Sequence, residues 1–323
     1  MSNKPLVSVI IPTYNRAGEI HRAVESVLHQ TYPAIQLIVI DDGSSDDTAT
    51  ILSRYPQVEY FYKKNGGQAS ARNAGLERAR GVYLASLDSD DTWEPNFLEV
   101  CVEKLEQDRL DFVFANWRQG RLTGEAVDFM EQHRPLQPFL APGADGWVNL
   151  ANPVIRRMFL TTCAAPSSSL LIRRSSLAGG WNNSMNIGDD WCLILDMVLT
   201  KPCTAAFTLQ KLWYKQPGPD NVYDGRPHIE IVQLLFVDDT RHLIRRYKSY
   251  LSRRELRILL KKYISGLVQL ANHSLFRERN LPGFLGLLQQ SLSLSPHLTF
   301  LSLTWKIRIQ SKRRLKRLVT RFS

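Results

Sequence analysis

Apolar and polar positions along the first 115 residues follow patterns that predict strands and helices in turn. Short β-branched or aromatic runs predict five strands, at Val7–Ile11, Leu37–Ile40, Val58–Tyr62, Val82–Leu87 and Asp111–Ala115. Apolar residues at helical spacing predict four helices between them, at Glu19–His29, Asp46–Arg54, Ala69–Ala79 and Pro95–Gln107. Strands alternating with helices are typical of βαβ units. The predicted fold class is therefore α/β and Rossmann-like, with a mostly parallel sheet flanked by helices.

The pattern weakens after Asn116 and becomes helical towards the end of the chain. Scattered Pro and Gly up to about Ala165 predict loops, with one short helix around Val154–Phe159. Further on, strands are predicted at Ser168–Ile172, Cys203–Phe207 and Leu209–Tyr214, and helices from Asp189 and near Ile229–Tyr247, Arg253–Leu275, Leu281–Leu292 and Leu301–Val319. We therefore expect one α/β domain over residues 1–225, with halves 1–116 and 117–225, and a helical, basic region over 226–323.

The net charge of +10 is concentrated at the carboxyl end of the chain. Residues 241–323 hold 19 Lys+Arg against 2 Asp+Glu, whereas residues 1–240 have a net charge of −7. This asymmetry indicates an anionic partner, such as a membrane surface or nucleic acid. The basic and apolar residues of Trp305–Phe322 suit an interfacial helix on anionic lipid, and the alternative is a solvated basic helix packed on the domain. Nucleic acid is not expected, because no aromatic module that stacks on bases is recognisable.

The sequence also indicates where in the cell the protein is located. Residues Leu281–Trp305 carry no charge, but their Gln and Ser residues, His297 and Pro296 argue against a membrane span. The four cysteines lack zinc-site spacing and favour a reduced, intracellular protein. No signal peptide is recognisable in the first residues. We expect a cytoplasmic protein, peripheral on the inner membrane face.

Each of the first four predicted strands is followed by a polar or glycine-rich cluster. The clusters are Pro12–Asn15, Asp41–Ser44, Lys63–Gly75 and Asp88–Asp91. A parallel sheet brings all four to one edge, where ligands bind in doubly wound folds. Three of the clusters, taken alone, have purely structural alternatives. Asp41 and Asp42 would be turn or helix-capping residues, and the Asn-Gly-Gly run would be a turn. Asp88–Asp91 would cap the following helix. A shared ligand explains the four clusters together.

The three carboxylates of Asp88, Asp90 and Asp91 indicate a hard cation. Capping needs only one of them, and oxygen-only ligands without His or Cys favour Mg²⁺ or Mn²⁺. Mg²⁺ commonly shares its shell between carboxylates and phosphate oxygens, so the predicted ligand is a metal-bound diphosphate, with Arg72 and loop N–H groups sharing its charge. No P-loop or dinucleotide-binding glycine motif is present.

At this point four motifs carry a resemblance to a known family. In this order and spacing, they resemble the N-terminal half of family 2 glycosyltransferases of GT-A fold: "VSVIIPTYNR", "IVIDDGSSDDT", "NGGQASARNAG" and "LASLDSDDTWEP". The match is strong from about Pro5 to Asn116 and weaker to about Pro219. The resemblance implies that Pro12, Thr13 and Tyr14 line the nucleotide base pocket. It also implies the contacts of two charged residues: Asp41 bonds the base, typically uracil, and Arg72 lies near the base or the diphosphate.

The resemblance also implies a role for each residue of the acidic cluster. Asp88 would contact ribose or the metal, with Ser89 beside it at the nucleotide-sugar. Asp90 would coordinate the Mn²⁺ or Mg²⁺ that bridges the phosphates, and Asp91 would orient its neighbours or cap the helix. A His that many relatives place near the end of the domain is absent, and Gln216 stands near that position.

"NIGDDWCL" is the candidate for the catalytic base, because transfer with inversion needs a group that activates the acceptor. It resembles the family's acidic pair at the start of a helix, with Asp189 in place of the usual Glu. By position Asp190 is then the base, and Asp189 or Trp191 contacts the acceptor. The alternative is a helix N-cap with an acidic first turn.

The implied activity is metal-dependent, inverting transfer of one sugar from a nucleotide-sugar, typically UDP-linked, to a glycan, lipid-linked or protein acceptor. The processive-synthase signature QxxRW is absent, which favours single-sugar transfer. Two alternatives stay open. A nucleotidyltransferase would need a basic, glycine-rich loop after the first strand, where "PTYNRAGE" supplies only Arg16. A membrane-associated scaffold with a vestigial donor site would not need Asp88, Asp90 and Asp190.

Overall fold

The computed structural model describes residues 4–120, 126–218 and 225–304. The chain divides into two compact units, Met1–Asp224 and Gly225–Ser323. The predicted membrane-binding segment Trp305–Phe322 lies outside the described residues, as does most of the helix predicted over Leu301–Val319. Within the described residues, no helix is long and apolar enough to cross a membrane.

The first unit contains ten strands and seven α-helices among its described residues. The strands are β1 Val7–Thr13, β2 Ile35–Asp41, β3 Val58–Tyr62, β4 Tyr83–Ser86, β5 Thr92–Trp93, β6 Phe112–Gln119, β7 Val127–Asp128, β8 Trp147–Leu150, β9 Leu170–Arg173 and β10 Ala205–Lys215. The helices are α1 Ile20–Leu28, α2 Thr48–Leu52, α3 Gln68–Leu76, α4 Phe97–Gln107, α5 Phe129–Gln132, α6 Val154–Thr161 and α7 Asp189–Thr200. Short 3₁₀ turns at Arg134–Phe139, Ser167–Ser169 and Arg174–Ser176 connect some of them.

All ten strands form one mixed sheet, whose main path runs β3-β2-β1-β4-β9-β6-β10-β5. The first four strands in this order are parallel, as the alternating pattern predicts. The carboxyl ends of β1, β2, β3 and β4 therefore share one edge of the sheet. This confirms the α/β fold class and brings the four polar clusters to the same side.

Strand β9 runs antiparallel to both of its neighbours, β4 and β6. Its beginning therefore lies at the edge where its neighbours end. Strand β10 is parallel to β6 and also ends at this edge. Strand β10 replaces two predicted strands, Cys203–Phe207 and Leu209–Tyr214. Its register against β6 shifts between Thr208 and Trp213. The predicted loop region after Asn116 contains the short antiparallel strands β7 and β8, which are too brief to give a periodic signal.

Amphipathic helices hold the parallel strands in place. Helix α1 buries the side chains at helical spacing, Ile20, Ala23, Val24 and Val27. Helix α3 approaches β1 so closely that a Cβ at Gly75 would lie 2.5 Å from Ile10 Cγ2. This contact explains a glycine inside a helix, where its flexibility is otherwise unfavourable. The close packing fixes the position of α3, which carries Gln68 and Arg72.

The second unit is helical where it is described. A helical stretch comprises α8 His228–Ile231, a π-helical segment Val232–Asp239 and α9 Thr240–Tyr247. Helices α10 Arg253–Phe276 and α11 Leu281–Leu294 follow, and residues 296–304 are also helical. Helix α10 begins with a capping box, in which Ser252 and Glu255 each bond the other's backbone N–H. Small buried clusters hold these helices together, one of them around Tyr263 and Leu267.

Candidate active site

Six chain segments of the first unit meet at the carboxyl edge of the parallel strands. They are the loops after β1, β2, β3 and β4, the turn Ser167–Ser169 before β9, and the start of α7. The end of β10 joins them, because the backbone N–H of Gln216 donates to Asp91 over 3.3 Å. The predicted site residues from both halves of the domain are thus close together.

Asp88, Asp90 and Asp91 form one acidic cluster, whose carboxylate oxygens lie within 4.8 Å of one another. Asp91 is buried and accepts a hydrogen bond from Ser168 Oγ at 2.8 Å. Burial, reinforced by the charge of Asp88, raises the pKa of Asp90. Burial also raises the pKa of Asp91 well above its usual range, although Lys215 opposes this. Burial and the neighbouring carboxylates therefore disfavour ionisation of Asp90 and Asp91, and a bound cation would favour it.

This cluster has the donor chemistry of a divalent-cation site. It offers only carboxylate oxygens, which suit Mg²⁺ or Mn²⁺, and it lies at the ligand-binding edge of the sheet. The predicted ligands Asp88 and Asp90 belong to it, and so does Asp91. Asp91 does not cap the following helix, because the N-cap of α4 is Asn96. Its bonds to Ser168 and Gln216 instead fit the prediction that it orients neighbouring residues.

Arg72 lies at the centre of the site and is almost fully buried. Its Nη2 donates to Asp88 over 2.6 Å and its Nη1 to Asp189 over 2.7 Å. Nη1 also lies 3.4 Å from a carboxylate oxygen of Asp190. Although burial alone lowers the pKa of Arg72, the carboxylates of Asp190, Asp88 and Asp189 raise it above its usual value.

That Arg72 lies near the base or the diphosphate stays a prediction, since the structure shows its guanidinium bonded to aspartates. A buried guanidinium needs counter-charges, and both of its terminal nitrogens are used by aspartates. Only Nε is buried without a hydrogen-bond partner. Arg72 therefore joins the acidic cluster to the start of α7.

Asp189 and Asp190 form the first turn of α7, as predicted, but neither caps it. The N-cap is Gly188, and no side-chain capping bond is made. Asp189 is buried and accepts from Gln68 Nε2 over 2.8 Å as well as from Arg72. Burial, opposed by the charge of Arg72 and reinforced by the neighbouring Asp190, raises the pKa of Asp189 to about 7.

Asp190 is held differently and is more accessible, with 16% of its side chain exposed. It accepts from the backbone N–H of Ser167 over 2.9 Å and from the Ser167 hydroxyl. The indole Nε1 of Trp181 donates to it over 3.1 Å. These donors fix the orientation of the Asp190 carboxylate, which a general base requires.

Trp191 does not fit the acceptor contact predicted for it. The ring is 1% exposed and its Nε1 donates to the backbone carbonyl of Phe159 over 2.5 Å. The Trp191 ring packs between α6 and α7. The aromatic residue at the site is instead Trp181, whose ring lies 5.9 Å from the Arg72 guanidinium. Asn73 binds the backbone N–H and carbonyl of Trp181 over 2.8 and 2.7 Å.

Sequence reasoning missed Trp181 and the serines that bond the aspartates. Ser167 and Ser168 stand in a run of three serines before β9, with no charge or motif to mark them. Trp181 follows a Gly-Gly turn that is unremarkable by itself. The available signal was Asn73, a polar residue on the inner side of α3 whose purpose the motif left open.

The residues predicted for a nucleotide base lie at the other end of the site. Pro12 and Thr13 are buried, and Thr13 Oγ1 has no hydrogen-bond partner. Tyr14 is half exposed, whereas Ser89 is buried. Asp41 is buried and accepts from Tyr60 and from the backbone N–H of Ser44. This last bond forms the turn considered as the alternative reading of the Asp-Asp-Gly run.

Asp42 stabilises the glycine-rich loop. It accepts from the backbone N–H groups of Gly66 and Gly67 and forms a 2.5 Å ion pair with Lys63. Gly67 has a φ of +86°, which favours glycine. Asp42 thus ties the loop after β3 to the loop after β2.

Comparisons with solved structures identify the fold. The S. aureus TarS fragment 1–349 in complex with UDP-GlcNAc matches with a TM-score of 0.63 at 17% identity, over 90% of this chain and 81% of that one. The mannosyltransferase PcManGT from Pyrobaculum calidifontis, in complex with GDP-Man and Mn²⁺, matches with a TM-score of 0.57 at 19% identity, over 94% and 84% of the two chains. At these identities the likeness establishes the fold alone, and that fold is GT-A.

The sequence comparisons show a curated relative and a family to which part of the chain is similar. The chondroitin synthase of Escherichia coli is 43% identical over 108 residues, which cover 32% of this chain and 16% of that protein. The sequence model of the glycosyl transferase family 2 matches residues 8–160. The matched region holds 153 of the 323 residues, and over it the chain is similar to this family. It spans about half or less of the length of the curated relatives it matches.

Proposed function

We propose that the protein transfers a single sugar from a UDP-sugar to an acceptor hydroxyl, with inversion at the anomeric carbon. The observation that carries the proposal is the position of Arg72. Its guanidinium contacts the acidic cluster through Asp88. It also contacts Asp189 and Asp190, the two aspartates at the start of α7 that include the candidate general base. A donor diphosphate at the cluster and a base for the acceptor are thus separated by one side chain. The UDP-GlcNAc bound to the similar TarS fragment supports a uridine donor.

In the proposed reaction Asp190 is the general base. The acceptor oxygen attacks the anomeric carbon, the bond from that carbon to the diphosphate oxygen breaks, and Asp190 takes the hydroxyl proton. Its bonds from Ser167 and Trp181 hold the carboxylate in one orientation. Trp181 is 4% exposed, so its role in the proposal is to hold Asp190 and not to contact the acceptor.

A divalent cation fits the proposal, with Asp88, Asp90 and Asp91 as the residues that would hold it. Such an ion supplies charge stabilisation to the leaving diphosphate, so that no general acid is needed. PcManGT contains Mn²⁺ with its donor, which supports Mn²⁺ as the first metal to test. The acceptor class, glycan, lipid-linked or protein, and membrane contact through Trp305–Phe322 stay predictions.

A thermal-shift screen tests the proposal. UDP, UDP-sugars and GDP-sugars would be added to the full chain with and without Mn²⁺. We expect UDP to raise the melting temperature in Mn²⁺, and one UDP-sugar to be hydrolysed slowly when no acceptor is present. Loss of both effects in Asp90→Ala would exclude a vestigial site. If no nucleoside diphosphate stabilises the protein in either condition, the proposed function is wrong.

A further inference from the structure

The second unit contains a groove that the proposed sugar transfer does not use. It has a volume of about 250 Å³ and lies between α9, α10 and α11. That volume corresponds to roughly eight water molecules at about 30 Å³ each, enough for a phosphate group and part of an alkyl chain. Its size and lining suggest a small amphipathic ligand or a segment of one.

One side of the groove is cationic. Arg241 and Arg245 stand one turn apart on α9, so both project towards the same space. Arg241 forms an ion pair with Asp238 at 3.0 Å. Arg245 is exposed and makes no ion pair with any described residue. Because the lining contains no Asp or Glu, a net positive charge remains at this side.

The remaining lining is apolar, with one polar pair. Ile244, Leu260 and Leu294 supply aliphatic surface from three different helices. Gln290 Nε2 donates to the hydroxyl of Tyr263 over 2.9 Å, so these polar groups satisfy each other. A ligand that combines an anionic group with an alkyl chain would complement both sides of the groove.

The surface of the second unit is also unusually apolar. Eight of the twelve large hydrophobic residues that are exposed among the described residues lie in the second unit. Leu281, Leu285 and Leu292 lie on α11 at spacings of four and seven, which places them on one face. They are 54%, 53% and 42% exposed, respectively. This face is opposite the groove-lining residues Gln290 and Leu294, and exposed apolar residues on one helix face are typical of an interaction surface.

We propose that this groove binds an anionic phospholipid of a bilayer, with the lipid phosphate at Arg241 and Arg245 and an acyl chain along Ile244, Leu260 and Leu294. The segment 305–323 of the same chain is not the occupant, because it holds eight Lys+Arg and no Asp+Glu and would be repelled by the two arginines. The site is separate from the sugar-transfer site and would orient the protein on the membrane surface.

Vesicle flotation of the full chain tests the proposal, with phosphatidylcholine vesicles that contain or lack phosphatidylglycerol. The variant is Arg241→Gln with Arg245→Gln. The matched control is Arg253→Gln with Arg257→Gln, an exposed pair at the same spacing on α10. Since each interfacial basic residue contributes about 1 kcal/mol, we expect the groove variant to bind phosphatidylglycerol vesicles at least about tenfold more weakly, and the control to lose less. Equal losses in the two variants would show diffuse charge attraction and would overturn the groove site.

A second measurement locates the lipid even if Trp305–Phe322 dominates total binding. A phosphatidylglycerol with a diazirine in its acyl chain would be cross-linked to the bound protein and mapped by mass spectrometry. We expect labelled peptides that contain Leu260 or Leu294. Labels confined to other regions, or a change in oligomeric mass in the groove variant that shows a second copy on this face, would contradict the proposal. Hydrolysis of the UDP-sugar, measured without vesicles, reports on the proposed transferase separately and is expected to be unchanged.

Discussion

The Arg72 guanidinium donates to Asp189 over 2.7 Å, although 117 positions separate the two residues in the chain. Arg72 belongs to the glycine-rich motif after β3 and Asp189 to the first turn of α7. Both side chains are almost fully buried. The contact therefore joins the nucleotide-sugar half of the domain to the half that supplies the candidate base.

Replacing Arg72 by Met should destabilise the protein strongly. The substitution keeps much of the side-chain volume but leaves Asp88, Asp189 and Asp190 without their shared counter-charge. Removing one partner from a buried ion pair costs about 3–5 kcal/mol. Urea denaturation measures the change in unfolding free energy. The exposed ion pair of Arg80 with Glu59 provides the control, and Arg80→Met should change stability little. Similar losses in the two variants would contradict the central role of Arg72.

Asp190→Asn should abolish most sugar transfer while leaving donor binding intact. General bases contribute about 10²–10⁴ in rate, and an amide cannot take the acceptor proton. Transfer rates would be compared with the UDP-induced thermal shift in Mn²⁺, which should stay close to that of the native protein. Ser167→Ala and Trp181→Phe remove single bonds to Asp190 and should lower the rate by smaller factors. A fully active Asp190→Asn protein would exclude this residue as the base.

Asp189 should make the folded protein less stable as the pH rises towards neutrality. Burial raises its pKa from 3.8 to about 7, so the folded state keeps a proton that the unfolded state has lost between those values. Stability from this group is therefore present below about pH 4 and is lost as the pH rises through about 7. Asp189→Asn cannot ionise and should lose less stability than the native protein between about pH 5 and pH 8.

Asp111 provides a control of opposite sign for this pH experiment. Although burial raises its pKa, hydrogen bonds from Ser176 and Thr204 lower it overall. Its contribution is present above the ordinary carboxyl range and is lost in acid. Asp111→Asn should therefore flatten the stability profile on the acid side, whereas Asp189→Asn should flatten it near neutrality. Identical profiles for the two variants would argue that neither carboxyl controls the pH dependence.

Asp90→Asn and Asp91→Asn should each weaken Mn²⁺ binding. Each substitution removes a charged oxygen ligand from the cluster of carboxylates within 4.8 Å. Titration with Mn²⁺, followed by thermal shift without nucleotide, measures the effect. Because ligands must lose their protons to bind a metal, the native response should grow with pH. Asp47→Asn, at an exposed position that does not belong to the cluster, is the control. Unaltered Mn²⁺ responses in both cluster variants would place the metal elsewhere.

The parts of this domain that depend on local pattern could be predicted from the sequence. Strand β3 has the predicted bounds, Val58–Tyr62, because its β-branched and aromatic run is flanked by clear breakers. The common edge of the four polar clusters could also be predicted, because the carboxyl ends of parallel strands lie on one side of a sheet. By contrast, the direction of β9 depends on its pairing with β4 and β6, which a short apolar run does not reveal. Ser167 and Trp181 depend on that direction. The burial of Trp191 was missed because the motif marks its position in the chain but does not reveal that nearly all of α7 is buried.

The reversed strand β9 has a consequence for how such domains can diversify. Because it starts at the ligand-binding edge, its preceding turn delivers Ser167 to Asp190 and Ser168 to Asp91, while its following loop leaves from the far side of the sheet. Insertions just after Arg173 would lengthen a remote connection and leave both serines in register. An added residue on that remote side should therefore disturb the site less than one before Leu170, which would displace the polar groups around two aspartates at once.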